Sequence, residues 1–306
     1  MESNIDISIV VASYNHERYI EKALSSILMQ RTKYSYEVWI GDDSSTDNTQ
    51  NILRRLEEQY PDNFHFVLRS KNVGADANFQ DLYSRTTGKY LAVLEGDDYW
   101  ISDNKLQLQV EFLEGHKDYI ATAHNVMVID GDGNVRDDFE YPECKKGEYL
   151  LRDFRNGLFA GQTASIVSVN YYYMHLFEIF RPSVNWPGDE TRNFMLASYG
   201  KVHCFQSCMS AYRYVTEGGS SFSAAYKMNE DTQRRFLQYH YELYEYAKNH
   251  VKSKESIEIT ESMYLKYYLA AVVKRKLPNV SLMTWLKLLF RCEYPIRTVK
   301  YLFVGN

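Results

Sequence analysis

The residue types best suited to chemistry are gathered in one loop, Glu95-Gly96-Asp97-Asp98, which follows the apolar run Leu91-Ala92-Val93-Leu94. The run reads as a short buried strand. Three carboxylates at its end repel one another, and each raises the pKa of the others unless a positive charge lies between them. A hard divalent cation relieves that repulsion. Mg²⁺ or Mn²⁺ takes one or two protein carboxylates and completes its shell with water and substrate phosphate. Ligands of open α/β sheets bind beyond the carboxyl ends of the strands. Place and chemistry therefore agree on a metal–phosphate site. The same residues also suit a solvated acidic turn, and taken alone they do not choose between the two.

The preceding elements must bring further polar loops to the same place. Ile7-Ser8-Ile9-Val10-Val11-Ala12 is a β-branched run and predicts a buried strand. Ser13-Tyr14-Asn15 turns after it, with Asn15 as the expected N-cap of a helix carrying Ile20, Ala23, Leu24, Ile27 and Leu28. A second strand, Glu37-Val38-Trp39-Ile40, ends in Gly41-Asp42-Asp43-Ser44-Ser45-Thr46-Asp47. A helix with Ile52, Leu53 and Leu56 follows, then a strand at Phe64-His65-Phe66-Val67-Leu68 and a helix with Phe79, Leu82 and Tyr83. Gly88 fits the stop of that last helix. Strands alternating with helices predict a parallel three-layer α/β sheet. The strand ends then share one edge, where the loops at residues 13–15, 42–43 and 95–98 converge.

Composition narrows the classes. The chain has 306 residues, a net charge of −5 and a pI near 5.9, which argues against nucleic acid as a partner. Cys144, Cys204, Cys208 and Cys292 have no zinc spacing, so free thiols in a reducing compartment are expected. Neither a signal pattern nor an apolar run of ~18 residues is present, which leads to the expectation of a cytoplasmic protein. There is no G-x-G-x-x-G and no P-loop sequence.

Beyond residue 100 a helix is expected from Asn104, with strands at 119–123 and 126–129. Asp130-Gly131-Asp132-Gly133-Asn134 is not a calcium loop, because Val135 stands where glycine is required and Tyr141 where glutamate is. It predicts a hairpin turn. Gly161-Gln162-Thr163-Ala164-Ser165-Ile166-Val167 reads as a strand. Asp189 follows Gly188 at the start of a helix through Phe194, Met195, Leu196 and Ala197, where capping alone explains a carboxylate. After Ser221 the chain turns helical and tyrosine-rich. Leu282, Trp285, Leu286, Leu289 and Phe290 form an amphipathic stripe with Lys287, Arg291, Arg297 and Lys300 around it, after Lys274, Arg275 and Lys276. Such a helix packs on its own domain or lies on an anionic membrane at the inner face of the cell. Packing is the commoner outcome.

Taken together, these pieces resemble family 2 glycosyltransferases of the bacterial surface-polysaccharide type. The matching segments are Ser8-Ile9-Val10-Val11-Ala12-Ser13-Tyr14-Asn15, Gly41-Asp42-Asp43-Ser44-Ser45-Thr46-Asp47, Asn72-Val73-Gly74 with Asn78, Gly88-Lys89-Tyr90, Glu95-Gly96-Asp97-Asp98 and Gly188-Asp189. They occur in the family's order over roughly residues 5–220. The resemblance implies a GT-A fold, a Rossmann-like three-layer α/β/α sandwich with a mostly parallel central sheet. It also implies a glycosyltransferase domain over 1–220, with a nucleotide-binding half to residue 100 and an acceptor half from 101, and a helical extension over 221–306.

The resemblance also implies roles. Ala12, Tyr14 and Asp42 would line the base and ribose pocket, with Lys71 as a nearby basic group. Glu95-Gly96-Asp97 occupies the D-x-D position, with Glu95 in place of its first Asp. Asp97 or Asp98 would hold Mn²⁺ or Mg²⁺, and Asp189 matches the general base, which displaces the capping explanation. Tyr212-Arg213-Tyr214-Val215-Thr216-Glu217-Gly218-Gly219 resembles the family's Y-R-x-H-x-G-G segment without its His. The implied activity is an inverting hexosyl transfer from a nucleotide-sugar, UDP-linked, to a glycan or lipid-linked acceptor. The alternatives are a metal-dependent nucleotidyltransferase and a non-catalytic sugar-nucleotide-binding scaffold.

Overall fold

The computed structural model describes residues 5–138, 141, 146–155, 158–184, 186, 188–215, 229–273, 277 and 280–295. Residues 216–219 of the Y-R segment and the basic residues Lys274, Arg275, Lys276, Arg297 and Lys300 lie outside the described residues. The chain divides into two compact units. The first holds Met1–Leu150, Leu158–Phe177 and Gly200–Ala225; the second holds Leu151–Gly157, Glu178–Tyr199 and Tyr226–Asn306.

In the first unit strands and helices alternate as expected: β1 (Ile7–Ser13), α1 (Ile20–Leu28), β2 (Tyr36–Asp42), α2 (Thr49–Glu57), β3 (Phe64–Leu68), α3 (Ala75–Arg85) and β4 (Tyr90–Glu95). β5 (Tyr99–Trp100), α4 (Lys105–Gly115), β6 (Tyr119–Ile129), β7 (Glu148–Tyr149), β8 (Val167–Val169) and β9 (Lys201–Arg213) complete it. Among the described residues the strands form one sheet in the order β3-β2-β1-β4-β8-β6-β9-β5, with β7 also paired to β9. The first four strands are parallel to one another, β8 runs antiparallel between β4 and β6, and β6 is parallel to β9.

Alternation along the strands explains the layers. Ile7, Ile9 and Val11 of β1 and Ala92 and Leu94 of β4 pack with Ile20, Leu24 and Ile27 of α1, Leu53 of α2 and Leu106 of α4. Val10, Leu91 and Val93 point the other way, onto Leu82, Phe79 and Tyr83 of α3. Strands covered on both faces are near-continuously apolar, as β4 and most of β1 are. The one polar residue within the β1 run, Ser8, is buried with its hydroxyl donating to Glu37 Oε1 at 2.6 Å. Each fully buried Ile, Leu or Val contributes about 1.5–3 kcal/mol.

Four local expectations are corrected. Asn15 does not cap α1: the helix begins after Tyr19, and Asn15 stands at φ 57° with its Oδ1 accepting from Thr46 N at 2.8 Å. Gly88 is not a helix stop, since α3 ends at Arg85. A Cβ at Gly88 would stand 2.6 Å from Ser8 N, so the close approach of β1 demands glycine. The two strands expected at 119–129 are one, β6, with register shifts beside Asn125 that absorb the polar interruption. The expected strand at 161–167 is instead a 3₁₀ turn, Thr163–Ser165, whose preceding Gln162 side chain accepts from Ala164 N at 2.7 Å; strand pairing begins only at Val167. The Asp130 turn is the expected hairpin, with Ile129 bridging Val135.

The second unit contains α5 (Leu151–Arg155), α6 (Gly188–Tyr199), α7 (Glu230–Tyr246), α8 (Lys254–Val273) and α9 (Leu282–Arg291). Asn229 caps α7 by accepting from Thr232 N at 2.9 Å, and Ser281 caps α9 by accepting from Thr284 N at 3.1 Å. Leu237, Leu265, Tyr268, Ala271, Leu277 and Trp285 form its apolar cluster. No helix among the described residues is long and apolar enough to cross a membrane.

Candidate active site

The register of the sheet assembles the site. Ala12 lies between Gly41 on β2 and Glu95 on β4, and Ser13 is level with Asp42. The loops after the three adjacent parallel strands therefore emerge side by side. Backbone bonds tie them together: Gly96 N donates to Ala12 O at 2.9 Å, and Asp43 N donates to Ser13 O at 2.9 Å. Asn15 N donates to Ser45 Oγ at 2.8 Å. Asn15 and Ser44 both hold positive φ, at 57° and 60°. Non-glycine residues in that region store strain that the surrounding bonds must hold.

The carboxylates of these loops have different duties. Asp42 is buried; its Oδ2 accepts from Ser45 N at 2.9 Å and Gln50 Nε2 at 2.8 Å, and its Oδ1 accepts from the Ser45 hydroxyl. It ties Ser45 and Gln50 to the end of β2. Asp43 accepts from Val73 N at 2.7 Å and Gly74 N at 2.9 Å, fixing the turn that follows Lys71. Lys71 is exposed beyond the end of β3, and Tyr14 and Ala12 are half-buried.

Asp97 and Asp98 also differ. Asp98 is 2 % exposed; Oδ1 accepts from Arg213 N at 2.7 Å and Oδ2 from Gln162 Nε2 at 2.9 Å. Burial first, then the charges of Asp97 and Glu95, push its pKa well above the carboxylate range. The Asp97 side chain is 23 % exposed, with His16 Nε2 at 3.9 Å from its Oδ2. Gln162 Nε2 also reaches Glu95 Oε2, at 3.3 Å. Glu95 and Asp97 are thus the carboxylates left half-open at this edge, with Asp98 behind them.

Three residues without a role in the sequence reading hold this loop. Arg213 donates through Nε to Asp97 O at 2.9 Å and through an Nη to Asp130 O at 2.7 Å, with its guanidinium 4.0 Å above the Tyr19 ring. Gln162 holds Glu95 and Asp98. His16 packs against Gly96, whose added Cβ would lie 2.7 Å from its Nδ1. Only Arg213 left a signal, its place after Tyr212 in the Y-R segment.

Asp189 belongs to the second unit. It stands in the first turn of α6, half-buried, with Oδ1 accepting from Glu190 N at 2.8 Å. Beside it Glu190 Oε2 accepts from Trp186 Nε1 at 2.6 Å. Burial pushes the Glu190 pKa up to about 7, the Trp186 bond opposes this, and Asp189 adds to it. His240 Nε2 is 3.8 Å from Glu190 Oε1, but burial holds the His240 pKa down to about 3, so the contact is not an ion pair near neutrality.

An α/β unit that presents carboxylates and polar loops along one edge of its parallel strands has them where ligands of open α/β sheets bind. The sequence profile of glycosyl transferase family 2 matches residues 8–215, and the chain belongs to that family. The uncharacterized protein Rv1520 of Mycobacterium tuberculosis is 45 % identical over 136 residues, covering 44 % of this chain and 39 % of that protein. The chain therefore matches well under half the length of the first curated relatives. A Bacillus subtilis protein named provisionally as the teichuronic acid biosynthesis glycosyltransferase TuaG is 29 % identical over 257 residues, covering 81 % of this chain and 97 % of that one. The crystal structure of S. aureus TarS 1–349 in complex with UDP-GlcNAc superposes with a TM-score of 0.63 at 16 % identity, over 97 % of this chain and 84 % of that one. That likeness shows the fold, which is GT-A.

Proposed function

We propose that the protein transfers a hexosyl group from a UDP-linked sugar to a hydroxyl of a glycan or lipid-linked acceptor, with inversion, as a step in surface polysaccharide synthesis. The observation that carries this reading is the half-open pair Glu95 and Asp97 at the edge shared by β1, β2 and β4. Among the described residues no group of three His, Cys, Asp or Glu could hold a metal. Two carboxylates nonetheless fit Mg²⁺ or Mn²⁺, which binds through one or two of them plus substrate phosphates. Asp97 is the proposed ligand, Glu95 its neighbour or a ribose acceptor, and Asp98 the buried support. The chemistry such an ion supplies is neutralisation of the leaving diphosphate.

The chain's own groups do the rest. Ala12, Tyr14 and the loop organised by Asp42 form the proposed wall for base and ribose, with Lys71 as the nearby cation. Asp189 takes the proton from the acceptor hydroxyl as its oxygen attacks the anomeric carbon. The bond to the diphosphate breaks on the opposite face, which inverts that carbon. One base suffices, because a neutralised diphosphate leaves without protonation.

The test is release of UDP from a panel of UDP-sugars, beginning with UDP-GlcNAc, with Mn²⁺ and with EDTA. The expected result is metal-dependent release that Asp189→Asn abolishes while donor binding, followed by calorimetry, is retained. Pyrophosphate release from UTP and a sugar phosphate would instead establish a nucleotidyltransferase. Retained turnover in Asp189→Asn would overturn the assignment of the base.

A further inference from the structure

Helix α9 is only half used by the fold. Trp285 is 5 % exposed and donates from Nε1 to Leu265 O at 3.0 Å, and Leu286, Leu288 and Leu289 pack on the same cluster. Other apolar side chains of the helix are open. Leu282 is 53 %, Met283 65 % and Phe290 84 % exposed. At 100° per residue Met283 and Phe290 fall within about 20° of each other on the helix. Lys287 and Arg291, both exposed, follow on one side of them, about 40° and 80° around the helix from Met283. The helix carries no acidic residue, and Glu293 just beyond it pairs with Lys248 at 3.1 Å.

Charge is segregated to this end of the sequence. Positions 274–306 contain seven Lys or Arg and one Glu, within a chain whose net charge is −5. An exposed Phe–Met strip bordered by cations has a specific complement. The rings and thioether seat in the acyl boundary while the ammonium and guanidinium meet anionic headgroups. A second copy of the same face would bring Lys287 and Arg291 against like charges. A soluble polyanion would leave Phe290 and Met283 in water.

We infer that the outer face of α9 docks the protein onto a bilayer containing anionic lipid, through Met283 and Phe290 as the inserted side chains and Lys287 and Arg291 as the headgroup contacts. The helix lies in the interface and does not span it. This docking is independent of the transfer chemistry, so either reading can fail without the other.

The experiment is sedimentation of the full chain with vesicles of phosphatidylcholine alone and of phosphatidylcholine mixed with phosphatidylglycerol. Binding is expected only to the mixed vesicles and falls as salt is raised. Lys287→Glu with Arg291→Glu weakens partitioning by at least about 30-fold, since each basic side chain near an anionic surface is worth about fivefold. Met283→Glu with Phe290→Glu abolishes it. All four side chains are exposed, so circular dichroism and the unfolding midpoint stay at wild-type values. In a Phe290→Trp variant, brominated lipid quenches the fluorescence above that of the parent. Failure to bind mixed vesicles, or equal binding by the variants, overturns the inference. So does a concentration-dependent dimer that these substitutions dissolve, which would make a second copy the occupant.

Discussion

The backbone N–H of Arg213 donates to Asp98 Oδ1 at 2.7 Å. The last residue of β9 thereby holds the acidic loop after β4, across 115 positions of sequence. The bond separates two adjacent aspartates into different jobs. Asp98→Ala would leave Arg213 N without an acceptor in a buried place and Gln162 Nε2 with only the longer bond to Glu95 Oε2 at 3.3 Å. One unsatisfied buried donor costs about 1–3 kcal/mol, and a fall of that size in unfolding free energy is expected. Asp97→Ala removes a half-open side chain and should change stability by less than about 0.5 kcal/mol, while metal-dependent UDP release is lost. Urea unfolding and UDP release on both variants decide the matter; equal stability losses would contradict the division.

Gly96 sits where the chain approaches itself. Its N donates to Ala12 O at 2.9 Å, and a Cβ would stand 2.7 Å from His16 Nδ1, 3.0 Å from Ile20 Cδ1 and 3.2 Å from Ala12 O. Gly96→Ala is expected to cost about 1–3 kcal/mol as an overpacked substitution. Much of that strain is against an imidazole that can be shortened. His16→Ser in the same chain should recover at least about 0.5 kcal/mol, the scale of coupling between residues in contact. Additive losses in the thermal unfolding of the double variant would mean that His16 is not what Gly96 accommodates.

Much of this arrangement was legible in the sequence, and the reasons are physical. Strands β1 and β4 are buried on both faces, so their residues announce them without tertiary information. The order of strands and helices then puts the loops holding Tyr14, Asp42 and Asp97 at one edge. Other features depend on partners far away in sequence. Nothing local distinguishes Asp97 from Asp98; the difference arises because Tyr99 and Trp100 pair with Ala211 and Ser210 of β9 and turn Asp98 inward. Gln162 is invisible in the sequence as a partner of the acidic loop because its segment has the pattern of a strand. Asn15 fits an N-cap by type, but Thr46 from the neighbouring loop competes for its oxygen.

Asp43 governs the turn between Lys71 and α3. Its two oxygens accept from Val73 N and Gly74 N, and Gly74 holds φ 89° at the entrance to α3. Val73 is 39 % exposed, so water replaces part of what Asp43→Ala removes. The expected cost is about 1–2 kcal/mol. The larger effect should fall on the turn after Lys71 and hence on donor binding. The KM for the nucleotide-sugar should rise severalfold with kcat nearly unchanged, and Asp43→Asn, which keeps one acceptor, should lie between. A fall in kcat at constant KM would place Asp43 in the chemistry instead.

Glu190 and His240 give the second unit opposing responses to pH. Burial raises the Glu190 pKa from 4.5 to about 7. Its stabilising contribution is therefore complete below the unfolded value and is lost as pH rises through the folded one. Burial lowers the His240 pKa from 6.5 to about 3. Its contribution is complete above the unfolded value and is lost as pH falls through the folded one. Each group acting alone gives a slope of up to about 1.4 kcal/mol per pH unit. Between the unfolded pKa of Glu190 and that of His240 the two slopes cancel. Glu190→Gln keeps an acceptor for Trp186 and removes the titration. Relative to wild type, its stability should rise with pH across that interval, uncovering the slope of His240. His240→Gln should show the reverse. Urea unfolding followed through Trp186, whose indole donates to Glu190, measures both. Parallel pH profiles for wild type and Glu190→Gln would mean that Glu190 titrates in the folded protein as it does in the unfolded chain.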